Sequence, residues 1–215
     1  ATNAAIKTEH KRFIISKLKI LPKDKLFWGE FIKLLTYGQT ISLLIHGTVE
    51  GSAPMHDYEE MKAHQAALEM IKVEAATGER PLTEMFIRQV HKIMLRTDYI
   101  PEGKNYTVHA GIYKTRPNSV QTPTGEIFEY ASPEETPALM MDLIAWYNNA
   151  EKEEKISPLE IAALFHYRYI RIHPFEDGNG RLTRILSDML LAKGERSEFR
   201  FYNVSSQINK DKKHY

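Results

Sequence analysis

Two stretches of helical periodicity are interrupted by Gly178-Asn179-Gly180, and that break constrains the chain more than any other feature. Apolar residues at helical spacing precede it (Leu159, Ala162, Ala163, Phe165, Tyr169, Ile170) and follow it (Leu182, Ile185, Leu186, Met189, Leu190). The spacing predicts two helices joined by a tight glycine turn. Glycine allows the left-handed geometry such a turn requires.

The same stretch is dense in chemistry. His173-Pro174-Phe175-Glu176-Asp177-Gly178-Asn179-Gly180-Arg181, continuing to Arg184, brings a base, a carboxylate, an anion-binding turn and two guanidinium groups into twelve residues. The turn amides and the N–H groups of the next helix form a positive concavity suited to phosphate oxygens. Arg181 and Arg184 follow within that helix and stay charged at any working pH. Asp177 is a hard oxygen donor of the kind magnesium prefers. With an ordinary pKa near ~6.5, His173 can take a proton from an attacking hydroxyl at neutral pH. Each residue alone also has a structural reading: a loop, a helix cap, a surface ion pair. Their convergence on one helix N-terminus is what those readings leave unexplained.

The run resembles the signature of Fic (Fido-fold) proteins, His-Pro-Phe-x-Asp-Gly-Asn-Gly-Arg with a second arginine three residues on, and every specified position is matched. The resemblance extends from about Ile41 onward and implies an all-α domain with a β-hairpin flap, preceded by an N-terminal helical extension over 1–40. It implies a protein adenylyltransferase that moves AMP from ATP onto a Tyr, Thr or Ser hydroxyl of a target protein, itself included, and releases pyrophosphate. His173 would be the general base, Asp177 the Mg2+ ligand, and Gly178, Asn179, Gly180, Arg181 and Arg184 the phosphate binders. Phe175 would be a buried anchor. Gly180 favours AMP transfer over a kinase-like variant of the family that carries lysine there.

Further segments fit the same resemblance. The motif loop spans 173–184, and the flap falls within 111–130, where Val120-Gln121-Thr122 and Ile127-Phe128-Glu129-Tyr130 flank Pro123-Thr124-Gly125-Glu126. There Val120, Gln121 and Thr122 would pair with an extended segment of the target. Tyr113-Lys114 stands where the family commonly has Tyr-Arg. Over 41–51, His46-Gly47-Thr48-Val49-Glu50-Gly51 resembles the family's inhibitory helix, with Glu50 expected to pair with Arg184, although His46 replaces the usual Ser or Thr. Residues before about Ile41 either support that helix or mediate self-association. At the other end, the resemblance places Tyr215 on the adenine side and a further helix after it, so the C-terminus reads as truncated. Two other functions stay open: AMP removal, with Glu50 orienting water, and a nucleotide-binding module without catalysis.

The remaining helices are predicted over Leu26–Ile45, broken near Gly38, then Met55–Ala76 and Thr83–Leu95. Ser157-Pro158-Leu159-Glu160 is a capping box with proline at the first helical position, and Ser132-Pro133-Glu134-Glu135 or Thr136-Pro137 opens the helix through Trp146. Lys210–His214 reads as a solvated helix face or tail. The 29 basic and 28 acidic residues leave a net charge of +1, with no electrostatic footprint for nucleic acid. No run approaches the roughly 18 apolar residues of a membrane span. The absence of cysteine is compatible with a reducing cytoplasm, the expected location.

Overall fold

The capping box at Ser157 forms as the sequence predicts. Ser157 Oγ accepts the Glu160 amide and Glu160 Oε2 accepts the Ser157 amide, both at 3.3 Å, and Pro158 opens the helix. In the computed structural model, which describes residues 55–77, 80–122 and 125–193, that helix is one of five. They are α1 (Met55–Thr77), α2 (Glu84–Leu95), α3 (Thr136–Glu153), α4 (Pro158–Ile172) and α5 (Asn179–Lys193). Between α2 and α3, β1 (Ser119–Gln121) and β2 (Ile127–Glu129) form a two-stranded antiparallel ribbon with Val120 opposite Phe128. The fold is the expected helical domain with a hairpin.

Both candidate openings of α3 are used. Ser132 and Glu135 bond each other's amides to close a turn, and the helix begins one residue later at Thr136, whose hydroxyl donates to the Ser132 carbonyl at 2.7 Å. At α2, Thr83 caps by accepting the Phe86 amide.

Helix α4 is the centre of the core. Leu159, Ile161, Ala162, Ala163, Phe165, His166, Tyr169 and Ile172 are all buried, covering most of its circumference. A helix apolar on so many sides must be enclosed by others, and α4 packs against both α3 and α5. Ala162 and Ala163 are fully buried and let these neighbours approach closely, while Phe165 meets Tyr147 edge-on and stacks on Tyr169. Helix α1 covers the far side of α5 and also packs on α2, with Ala63, Ala67 and Ile71 on its inner stripe. Among the described residues, no helix is long and apolar enough to cross a membrane.

The N-terminal extension, the inhibitory helix over 41–51 with Glu50, the basic segment 210–214 and Tyr215 lie outside the described residues.

One long-range contact closes the helical stack. Asn148 of α3 donates to the Leu82 carbonyl at 2.9 Å and accepts the Leu82 amide at 2.8 Å, pinning the chain just ahead of α2. Asn148→Ala strands both backbone groups in a partly buried setting. It should lower unfolding free energy by about 2 kcal/mol in urea titration, with no change in fold.

Candidate active site

The site grows from the end of α4. His173 terminates that helix in the left-handed conformation (φ 53°, ψ 62°), its amide bonded to the Tyr169 carbonyl. From there the chain reverses through Pro174 to Gly178 and enters α5 at Asn179. Helix α5 thus begins one residue inside the glycine turn, and of Gly178, Asn179 and Gly180 only Gly178 carries the left-handed geometry (φ 75°). A β-carbon there would lie 2.8 Å from Met94 Cε and 3.4 Å from His91 Nε2. Conformation and space both demand glycine.

The loop hangs on Phe175, which is fully buried. Asn179 grips its backbone from both sides, Oδ1 accepting the Phe175 amide at 2.9 Å and Nδ2 donating to its carbonyl at 2.7 Å. The Asn179 side chain is therefore spent on the loop, and only its backbone can face an anion. Asn118 Nδ2 adds bonds to the carbonyls of Phe175 and His173. His91 of α2 stacks flat on the Phe175 ring at 3.8 Å.

His91 has a defined tautomer. Its Nδ1 accepts the Gly111 amide at 2.8 Å, so the proton is on Nε2, which donates to the Asp177 carbonyl at 3.0 Å. Burial pushes its pKa down to about 4, against the pull of the Asp177 carbonyl and carboxylate. A cationic ring there would lose the Gly111 bond.

Asp177 is held at several points. Its Oδ1 accepts the Gly178 amide at 2.6 Å, its Oδ2 accepts the Tyr99 hydroxyl, and Arg181 Nη2 lies 3.8 Å away. The side chain is still 49% exposed. Arg181 also forms an ion pair with Glu60 of α1. Arg184 lies one turn further on, its Nη1 3.2 Å from where a β-carbon on Gly180 would stand. The first α5 amide bonded back to the loop is that of Leu182, onto the Gly178 carbonyl. The motif thus brings His173, Asp177, the turn amides and both arginines to one end of α5.

His173 is covered on one face by Tyr130, stacked at 3.8 Å. Burial pushes its pKa down to about 4, the Lys114 charge adding to the effect and the Ile170 carbonyl and Asp177 opposing it. The ring is neutral at physiological pH and holds a lone pair for a proton. Lys114 is itself buried and bonded to the Ile172 carbonyl at the end of α4 and to Asn118 Oδ1, and burial lowers its pKa to about 8.

The hairpin next to this site differs from expectation at one residue. Thr122 lies past the end of β1 and closes the turn, its amide bonding the Glu126 carbonyl and its hydroxyl accepting the Glu126 amide. Val120 and Ile127 stay exposed on the ribbon.

Sequence reasoning missed His91, Tyr99, Glu60 and Asn118. Only His91 left a signal: a polar residue on the stripe of Ile87, Val90 and Met94, all buried in α2.

The two depressed histidines give a pH signature. Folded-state pKa values below the unfolded one mean that their stabilisation is complete above about pH 6.5 and is lost as pH falls toward 4. For His91 this is worth about 3 kcal/mol. NMR titration of the ring Cε1–H signals should find both rings neutral down to about pH 5, with unfolding free energy falling steadily from pH 6.5 to 4.

Comparison with known proteins agrees with this geometry. Residues 81–191 match the Fic/DOC family. The crystal structure of a Fic domain containing signaling protein from Bacteroides thetaiotaomicron is 44% identical, with a TM-score of 0.73 over 94% of this chain and 78% of that one. The Protein adenylyltransferase fic-1 of Caenorhabditis elegans is 29% identical over 160 residues, 74% of this chain and 29% of its own length. Protein adenylyltransferase Fic of Drosophila grimshawi is 43% identical over 56 residues, 26% of this chain and 12% of its own length. The chain spans less than a third of these named adenylyltransferases. Motif, fold and matched length converge, and the chain belongs to the Fic/DOC family.

Proposed function

We propose that this chain is a protein adenylyltransferase that transfers AMP from ATP to a hydroxyl side chain of a target protein. The observation that carries this reading is a partly buried His173 set beside the start of α5, whose first amides and two arginines can meet an anion, with the Asp177 carboxylate at their edge. A module that merely bound nucleotide would have no use for a base there.

In this reading the hydroxyl loses its proton to the His173 ring as its oxygen attacks the α-phosphorus. The bond from that phosphorus to the bridging oxygen of the β-phosphate breaks, and pyrophosphate leaves. The amides at the start of α5 and the Arg181 and Arg184 guanidiniums hold the polyphosphate and meet the charge that develops. Catalysis is then mainly positioning, since a base shifted by even an ångström loses much of its effect.

The residues present fit a magnesium ion. Asp177 is a half-exposed hard oxygen donor beside the start of α5. That donor set suits a cation that keeps its waters and takes one or two carboxylates together with phosphate oxygens. When bound, it would neutralise phosphate charge.

The substrate hydroxyl would come from a segment docked along the ribbon, where Val120 and Gln121 offer strand backbone and Thr122 supports the turn. Self-modification and homo-oligomer formation belong to the same reading. Glu50, paired with Arg184, would restrain the forward reaction by withholding that guanidinium from the phosphates.

The test is transfer of label from α-labelled ATP, CTP, GTP and UTP with magnesium, using wild type, Glu50→Gly and Glu50→Gly/His173→Ala. Label should come from ATP, rise sharply with Glu50→Gly and fall at least ~100-fold when His173 is also replaced. Binding of ATP without any label transfer in all three would sink the transferase reading.

A further inference from the structure

Asp177 is fixed at its backbone by His91, from α2, and at its carboxylate by Tyr99, from the loop after α2. The second contact has no counterpart in the motif. Tyr99 is 78 positions away in sequence and reaches Asp177 only because its loop is closed on itself. Tyr99 and Val108 form an antiparallel bridge, with bonds of 3.1 and 2.7 Å. Next to it, Asp98 accepts the Ala110 amide at 2.8 Å and bonds His109 Nδ1 at 2.7 Å. The loop thus presents the Tyr99 hydroxyl from a braced backbone.

A carboxylate has about four lone-pair positions, two on each oxygen. In Asp177 the Gly178 amide takes one on Oδ1 and the Tyr99 hydroxyl takes one on Oδ2. One donor on each oxygen stops rotation of the group. The side chain is 49% exposed, so the remaining lone pairs can be reached from solvent, with Arg181 Nη2 3.8 Å from Oδ2. In this contact Tyr99 is the donor, because an ionised carboxylate can only accept.

We propose that Tyr99 is a positioning residue that locks the Asp177 carboxylate in the orientation from which its remaining lone pairs bind the divalent cation. This rests on the reading of Asp177 as the metal ligand. Partners behind a ligand typically change metal affinity by about 10- to 100-fold when removed. Loss of Tyr99 frees a rotor that must be re-ordered each time a cation binds. The opposing effect is competition: a hydroxyl that sits on the lone pair the cation needs would have to leave first, and its loss would then tighten binding. The solvent exposure of Asp177 decides for orientation.

The experiment uses the whole chain with α,β-methylene ATP and Mn2+ as the probe, read by electron paramagnetic resonance. Wild type, Tyr99→Phe and Asp177→Asn are compared, each checked by its thermal midpoint and by nucleotide affinity without metal. Wild type should bind one nucleotide-dependent Mn2+, Asp177→Asn should lose it, and Tyr99→Phe should weaken it about 10-fold or more. Metal-free nucleotide affinity and the thermal midpoint of Tyr99→Phe should stay at wild-type values, which a general structural defect would not allow. Equal or tighter Mn2+ binding by Tyr99→Phe would overturn the inference and leave the metal reading intact. Wild type and Asp177→Asn behaving alike would overturn the metal reading, and this inference with it.

Discussion

The buried ring of Phe175 is the peg on which the site hangs. A loop between two helices has carbonyls and amides with no regular partners, and burying it unsatisfied would be costly. Here the Phe175 backbone is satisfied by Asn179 and Asn118 while its ring is sandwiched into the core against His91 and Tyr113. With that one residue fixed, His173 on one side and Asp177 on the other have little freedom. The arrangement explains why a fully buried aromatic residue belongs in the middle of a polar motif loop.

Electrostatics around the peg run against charge. His91, His173 and Lys114 are all basic groups whose protonated forms burial disfavours. The two rings are held neutral, while the arginines stay charged and the start of α5 adds the positive end of its dipole. In the proposed reading, that division separates the group that accepts a proton from those that hold charge. Glu60 adds a carboxylate against Arg181, so that arginine is already partnered in the chain as it stands. Any phosphate arriving at Arg181 meets a guanidinium that is oriented and partly neutralised.

Much of the fold was legible because its signals are local. The Ser157 box, Pro158 and the alternation of apolar residues in 159–170 lie within a few positions of what they determine. The motif loop was legible by its density and by its resemblance to a family. What escaped is tertiary. Tyr99 and Glu60 come from a loop and a helix far from the motif in sequence, and nothing in their neighbourhoods marks them. Thr122 escaped for another reason: threonine suits a strand, and its hydroxyl was equally able to close the turn that follows. The start of α5 inside the glycine turn follows from Asn179, whose side chain is drawn back onto Phe175 while its backbone already turns with the helix.

Asn118 stands just before β1, and its own carbonyl accepts the Tyr130 amide that closes the far end of the ribbon, while its side chain holds His173 and Phe175. The ribbon and the end of α4 are therefore tied together. In the proposed reading, a polypeptide aligned on the ribbon would be measured against His173 through Asn118 and through Tyr130, whose ring stacks on that histidine. Selectivity among targets would then take the form of a length: how far a hydroxyl stands from the strand backbone that carries it. Serine and threonine both carry the hydroxyl on Cβ, at the same distance from the strand, whereas tyrosine carries it at the far end of a ring.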